Sequence, residues 1–149
     1  MARRRAAKTI DELLAQARAT LPDRPTPAEA LRAQASGALL IDIREDDQRR
    51  EDGLIPGAIV LPRNSLEWRC DPASAWRHPA ITRPGLRIIL ICNQGYQSSL
   101  AAATLQQLGL THATDLDGGF TAWAAAGLPV IPSAAGHHPR GDRHPDGQR

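Results

Sequence analysis

Aromatic side chains are scarce in this chain: Phe, Trp and Tyr make up 3% of its 149 residues. Any core must therefore be built from Ala, Leu, Ile and Val. Nowhere do about 18 apolar residues run together, which excludes a helix that crosses a bilayer. No apolar segment follows the basic N-terminal cluster, so a secretory signal is not expected and the cytoplasm is the default compartment. Cysteine occurs twice, at Cys70 and Cys92, too few for a disulfide scaffold and suited to a reducing compartment. Arginine is missing from Ile88 to Gly136, which leaves that third of the chain without a bidentate anion-binding side chain.

Charge of one sign is also missing where it would matter. The net charge is +2, yet four of the 18 basic side chains lie between Arg3 and Lys8. Another three lie in residues 137–149 beside two Asp, so the stretch between holds 11 basic and 14 acidic side chains. The basic balance thus comes from the ends. No aromatic or groove-reading motif accompanies the basic arm, and nucleic-acid binding is not expected. Three of the five histidines, His137, His138 and His144, share the polar C-terminal tail, where neither their spacing nor any cysteine supports a metal site.

The most informative stretch runs from Arg87 to Leu108. Ile88 to Ile91 is an unbroken apolar run, as in a parallel strand covered on both faces. After Cys92 and the polar segment Asn93, Gln94, Gly95, Tyr96, Gln97 and Ser98, the pattern of Ala101, Leu105 and Leu108 predicts a helix that ends at Gly109. A cysteine between a strand end and a helix start faces unpaired N–H groups and the positive end of the helix dipole, and both favour thiolate, the nucleophilic form. Gly95 lets the loop curl into a nest of N–H groups around the sulfur. Ser98 and Ser99 either cap the helix or add hydroxyl donors to that nest.

The flanks supply further elements. Thr9 with Glu12 forms a capping box ahead of a helix whose Ile10, Leu13, Leu14, Ala17 and Leu21 share a face, and Pro22 stops it. Thr26 and Pro27 open a second helix that reaches about Ala35. A buried strand spans Ala38 to Ile43, a solvated helix Glu45 to Asp52, and a turn at Pro56-Gly57 leads into Ile59-Val60-Leu61. Asp71-Pro72 is expected to open a short helix through Trp76. Ala113 to Leu116 reads as a last strand, followed by a turn at Gly118-Gly119 and a helix from Phe120 to Ala126 anchored by Trp123.

Three signatures together resemble the rhodanese family. The loop has Cys92 first, Gly95 fourth and Gln97 sixth; Asp42-Ile43-Arg44 with Gly53-Leu54-Ile55-Pro56-Gly57-Ala58 is similar to its Asp-x-Arg and Gly-His-Ile-Pro-Gly-Ala motifs; and Gly118-Gly119 with Trp123, Gly127 and Pro129 is similar to its closing motif. The resemblance covers roughly residues 25–132. It implies a single rhodanese-like domain, an α/β fold with a doubly wound, mainly parallel five-stranded sheet flanked by helices. Residues 1–24 would be a basic arm with an extra helix, and 133–149 a disordered tail.

For function the resemblance implies a thiosulfate sulfurtransferase with Cys92 as catalytic residue, carrying sulfur as a persulfide from a donor such as thiosulfate to a thiol or cyanide. Asn93 to Ser98 would form the persulfide- and anion-binding loop, and Asp42 with Arg44 would brace the loops around the site. No cofactor and no metal are called for. Partners would be a small sulfur donor and a thiol acceptor, with a protein acceptor left open, and neither nucleic acid nor membrane. Arg63 and Arg69 are candidates for guiding an anionic donor or else surface residues, and Cys70 is either a resolving thiol or packed. Gln97 stands where many family members carry Arg, and Leu54 where the family carries His. A non-catalytic binding module is the alternative reading. A dual-specificity phosphatase would need Cys-x5-Arg, and the sixth residue after Cys92 is Ser98.

Overall fold

The structure, a computed structural model, describes residues 6–133. Four strands form one parallel sheet in the order β2-β1-β3-β4: β1 Leu39–Asp42, β2 Ile59–Val60, β3 Ile88–Ile91 and β4 Ala113–Asp115. Ile41 pairs with Ile59 on one side and with Leu90 on the other, and Ile88 pairs with Ala113. Because strand side chains alternate, Ile41, Ile88 and Leu90 enter one core while Leu40, Ile89 and Ile91 enter another on the opposite face. Both faces are buried, which is why β3 is apolar at every position.

Helices cover the two faces. α5 (Gln97–Gln107) contributes Ala101, Ala102 and Leu105 to the first core, joined by Leu66 and Cys70 of α4 (Leu66–Cys70). α2 (Pro27–Ala35) and α6 (Gly119–Ala125) close the second core with Ala30, Phe120 and the fully buried Trp123. Trp123 Nε1 donates to Pro129 O at 2.9 Å, which satisfies its one polar atom. α1 (Ile10–Thr20) has the expected Thr9–Glu12 capping box and lies along α5. Its Ala17 is buried, as is Leu21 beyond it, whereas Ile10 and Leu13 remain exposed. α3 (Asp46–Asp52) buries nothing, as its composition requires. Among the described residues no helix is long and apolar enough to cross a membrane.

The sheet has four strands where the family resemblance implied five. Residues 23–25 run beside β4, with Asp117 N donating to Pro25 O and Thr114 Oγ1 to Asp23 O. Pro22 and Pro25 lack the N–H needed to make a ladder there. The expected helix from Asp71 to Trp76 is a pair of turns instead. Asp71 Oδ1 accepts from Ala73 N and Ser74 Oγ from Trp76 N, so side-chain oxygens take amides a helix would need for itself. The expected tail from residue 134 onward lies outside the described residues.

The sheet order changes direction between β1 and β3, and the loops after both strands splay apart at their carboxyl ends. The β3–α5 loop rests on the start of α6: Phe120 N donates to Cys92 O at 2.9 Å and Thr121 N to Asn93 O at 3.0 Å. That approach requires Gly119, at φ +60, whose added Cβ would lie 2.6 Å from Cys92 O and 2.7 Å from Gly95 N. Gly119→Ala is therefore expected to lower unfolding free energy by about 3 kcal/mol in urea titration, combining left-handed strain with backbone overlap.

Candidate active site

With its own carbonyl and that of Asn93 tied outward to α6, the loop turns amides inward. Gly95 N donates to Cys92 Sγ at 3.2 Å and Ser98 N at 3.4 Å, and Ser98 Oγ lies 3.1 Å away. Cys92 is 7% exposed and forms part of the floor of a pocket of about 490 Å3. Ile43, Arg44 and Glu45 line this pocket from the end of β1; Arg63 and Asn64 line it from the 3₁₀ turn before α4; Asn93, Gln94, Tyr96 and Gln97 line it from the loop. Cys92, though buried, thus borders the pocket, and main-chain dipoles face its sulfur.

Of the remaining predicted residues, Gly95 and Ser98 lie beneath the sulfur. Asp42 and Arg44 form a buried pair, with Nε to Oδ1 at 3.0 Å and a terminal nitrogen to Oδ2 at 2.8 Å. Arg44 also donates to Gly53 O at 2.7 Å and stacks 3.8 Å from the centre of the Phe120 ring. This brace ties the ends of β1 and α3 to α6. Leu54, in the position of the family's histidine, exchanges two backbone hydrogen bonds with Ile131. Arg63 reaches Gln97 Oε1 through Nε at 3.2 Å and both Glu67 oxygens through one terminal nitrogen at 2.9 Å. Arg69 does not line the pocket.

Sequence reasoning missed the support behind the loop. Asp115, fully buried at the end of β4, accepts from Ser98 Oγ at 2.7 Å and Ser99 Oγ at 2.8 Å. Arg24 grips the same carboxylate, Nε to Oδ1 at 2.8 Å and a terminal nitrogen to Oδ2 at 3.2 Å, and also reaches Gly95 O. Its hydrogen bond to Asp115 raises the guanidinium's pKa against the opposing pull of burial. From α1, Arg18 donates to Gly95 O at 2.8 Å and Ser99 Oγ at 3.1 Å and lies 5.7 Å from the Tyr96 ring centre. Neither serine caps α5, contrary to one of the two roles open to them; Tyr96 is the cap residue. The one available signal was Thr114-Asp115, two adjacent polar residues in a stretch read as a buried strand.

A parallel sheet with a cysteine loop at its switch point defines a class of α/β domain built around one strand-end thiol. The chain belongs to the rhodanese family: the model of the rhodanese-like domain matches residues 26–126. It is 35% identical over 100 residues to the thiosulfate sulfurtransferase GlpE of Pseudomonas entomophila, covering 67% of this chain and 83% of that protein. A sulfurtransferase of Allochromatium vinosum is 31% identical over 99 residues, 66% of this chain and 83% of the relative. Among solved structures, a protein of unknown function from Rhodopseudomonas palustris, described as a possible tyrosine phosphatase, is 30% identical with a TM-score of 0.76, covering 88% of this chain and 100% of that one.

The second cysteine is chemically unlike the first. Cys70 is fully buried, and desolvation, with a smaller contribution from Glu67, pushes its thiol up to about 12. That suits the packed role of the two open to it. At pH 8 its thiolate fraction is then about 10⁻⁴. Iodoacetamide is expected to label Cys92 and leave Cys70 unmodified in the folded protein, as read by peptide mass spectrometry, with both labelled in denaturant.

Proposed function

We propose that this protein is a sulfurtransferase in which Cys92 carries sulfane sulfur as a persulfide. The observation that carries the reading is Cys92 lining an open pocket with the Gly95 and Ser98 amides directed at its sulfur. The thiolate attacks the outer sulfur of a donor such as thiosulfate, forming the S–S bond of the persulfide and releasing sulfite. An acceptor thiolate or cyanide then attacks that outer sulfur, and Cys92 leaves as thiolate. Splitting the exchange into two displacements lowers each barrier. Main-chain donors near the developing negative charge stabilise it without a cation. The names of the similar proteins from Pseudomonas and Allochromatium support the same chemistry.

A phosphatase reading, raised by the Rhodopseudomonas relative, lacks its main requirement. Phosphoryl transfer from such a loop needs a bidentate arginine at the sixth residue after the cysteine; that residue is Ser98, with no arginine between Ile88 and Gly136. Incubation with thiosulfate is expected to add the mass of about one sulfur atom to the wild type and none to Cys92→Ser. A wild type left unmodified by several sulfane donors would favour the non-catalytic module.

Arg63 supplies cationic charge at the pocket that Gln97 does not. Gln97 Oε1 holds the guanidinium in place, while Glu67 offsets its charge. The pair is about a quarter exposed, where such an interaction is worth about 0.5–1 kcal/mol. Glu67→Gln is therefore expected to lower the KM for thiosulfate about threefold with little change in kcat, in steady-state assays at low salt. An unchanged KM would show that Arg63 does not meet the donor.

A further inference from the structure

Tyr96 and Gln97 each line two cavities. One is the pocket that Cys92 borders; the other is a groove of about 440 Å3 closed by Ile10, Asp11 and Leu14 of α1 and Leu100 of α5. Ile10 and Leu14 are one turn apart on α1, and Gln97 and Leu100 one turn apart on α5, so each helix turns a short row toward the groove. Apart from the Asp11 carboxylate, the Gln97 amide and the Tyr96 hydroxyl, these side chains are hydrocarbon. Ile10 is 62% exposed and Tyr96 59%. Large apolar side chains left open around a concavity of this size mark a ligand site. The groove also starts close to the sulfur: Ser98 N lies 3.4 Å from Cys92 Sγ, and Gln97 is the residue before it. Arg18 on α1 lies 5.7 Å from the centre of the Tyr96 ring and donates to Gly95 O. The wall between the two cavities is therefore set by the helix that closes the second.

The two cavities differ in charge. Arg44 and Arg63 line the first, whereas Asp11 is the one charged residue among those that line the second. An anion such as thiosulfate meets no cation in the groove, and uncharged carbon sheds water by entering it. Half of the lining, Ile10, Asp11 and Leu14, precedes the stretch that matches the rhodanese-like domain, so the groove depends on a helix outside that stretch. Resting on the reading of Cys92 as the sulfur carrier, we infer that the groove is an acceptor subsite, selective for thiols with an uncharged apolar body. The acceptor gives its proton to solvent, and its thiolate attacks the outer sulfur of the Cys92 persulfide. The new S–S bond makes an alkyl persulfide, the old one breaks, and its electron pair leaves on Cys92 as thiolate. Neither an oxidant nor a reductant is needed.

Two experiments separate the groove from the sulfur chemistry. In the first, which needs no sulfur donor, Cys92 is modified by N-methyl-, N-ethyl-, N-propyl- and N-butylmaleimide, and each rate is divided by that of N-acetylcysteine. The relative rate is expected to rise about threefold per methylene, and Ile10→Ser to cut the butyl-to-methyl ratio about threefold. In the second, Cys92 is loaded from thiosulfate, excess donor is removed, and loss of the sulfur mass is followed in a single turnover with subsaturating thiol. Butanethiol is expected to unload it about tenfold faster than ethanethiol. 3-Mercaptopropionate, with a carboxylate in place of the terminal methyl of propanethiol, is expected to be slower than propanethiol, and Asp11→Asn to narrow that gap. Equal rates along both series overturn the inference, as does a chain-length effect that Ile10→Ser leaves intact. Failure of Cys92 to load overturns the sulfur-carrier reading and with it the acceptor role, while the maleimides still decide whether apolar groups enter the groove. A dimer in light scattering that Ile10→Ser turns into monomer would show a second copy covering the groove, and the inference fails.

Discussion

The two hydrogen bonds from the start of α6 to the β3–α5 loop hold the site in shape. Once Cys92 O and Asn93 O accept from Phe120 N and Thr121 N, the peptide planes of the loop are set, and the amides that follow turn toward the sulfur. The contact is possible only because Gly95 and Gly119 bring two backbones together with no side chain between them. Gly119, distant in sequence from the cysteine, is thus part of the same device as Gly95 in the loop itself. The Arg44 brace onto Phe120 and Gly53 fixes the other wall of the pocket to the same short helix.

Much of this was legible in the chain. The apolar run of β3, the polar glycine loop, the Thr9–Glu12 capping box and Trp123 as an anchor each follow from local patterns whose period or chemistry matches one element. The strand count was not, since it came from resemblance, and two prolines prevent residues 23–25 from making a ladder with β4. The Asp71 segment failed for a similar reason: a proline after an aspartate opens either a helix or an Asx turn, and Ser74 tips it to turns. Leu54 shows the opposite case. Leu54 stands where the family carries a polar histidine, and the backbone bridge to Ile131 and the Arg44 bond to Gly53 O hold that turn without one.

The supporting network escaped sequence reading because its members are separated along the chain by long stretches. Arg18 and Arg24 carry no local pattern beyond their charge, and Asp115 falls within the stretch Ala113 to Leu116 that reads as a strand. Only packing of α1 on α5 and of residues 23–25 beside β4 brings them to the back of the loop. A buried carboxylate without partners would be strongly destabilising. Two arginine contacts and two serine hydroxyls make Asp115 tolerable there. The helix ahead of the rhodanese-like region thus contributes Arg18 to the shape of the site itself.

The charge distribution around the sulfur follows one pattern. Arg44 is matched by Asp42, Arg24 by Asp115, and Arg63 by Glu67, while Arg18 is occupied with Gly95 O and Ser99. These pairings offset most of the positive charge around the pocket, although Nη1 of Arg44 is buried with no hydrogen-bond partner among the described residues, and the Gly95 and Ser98 amides and the start of α5 turn their positive ends toward the sulfur. Dipoles of that kind act over short range. They favour charge that develops on the cysteine sulfur or one atom beyond it more than charge spread over a large ligand. Among the described residues two guanidiniums line the pocket, Arg44 held by Asp42 and Arg63 held by Glu67 and Gln97, so what distinguishes the position of the sulfur is the set of main-chain dipoles around it.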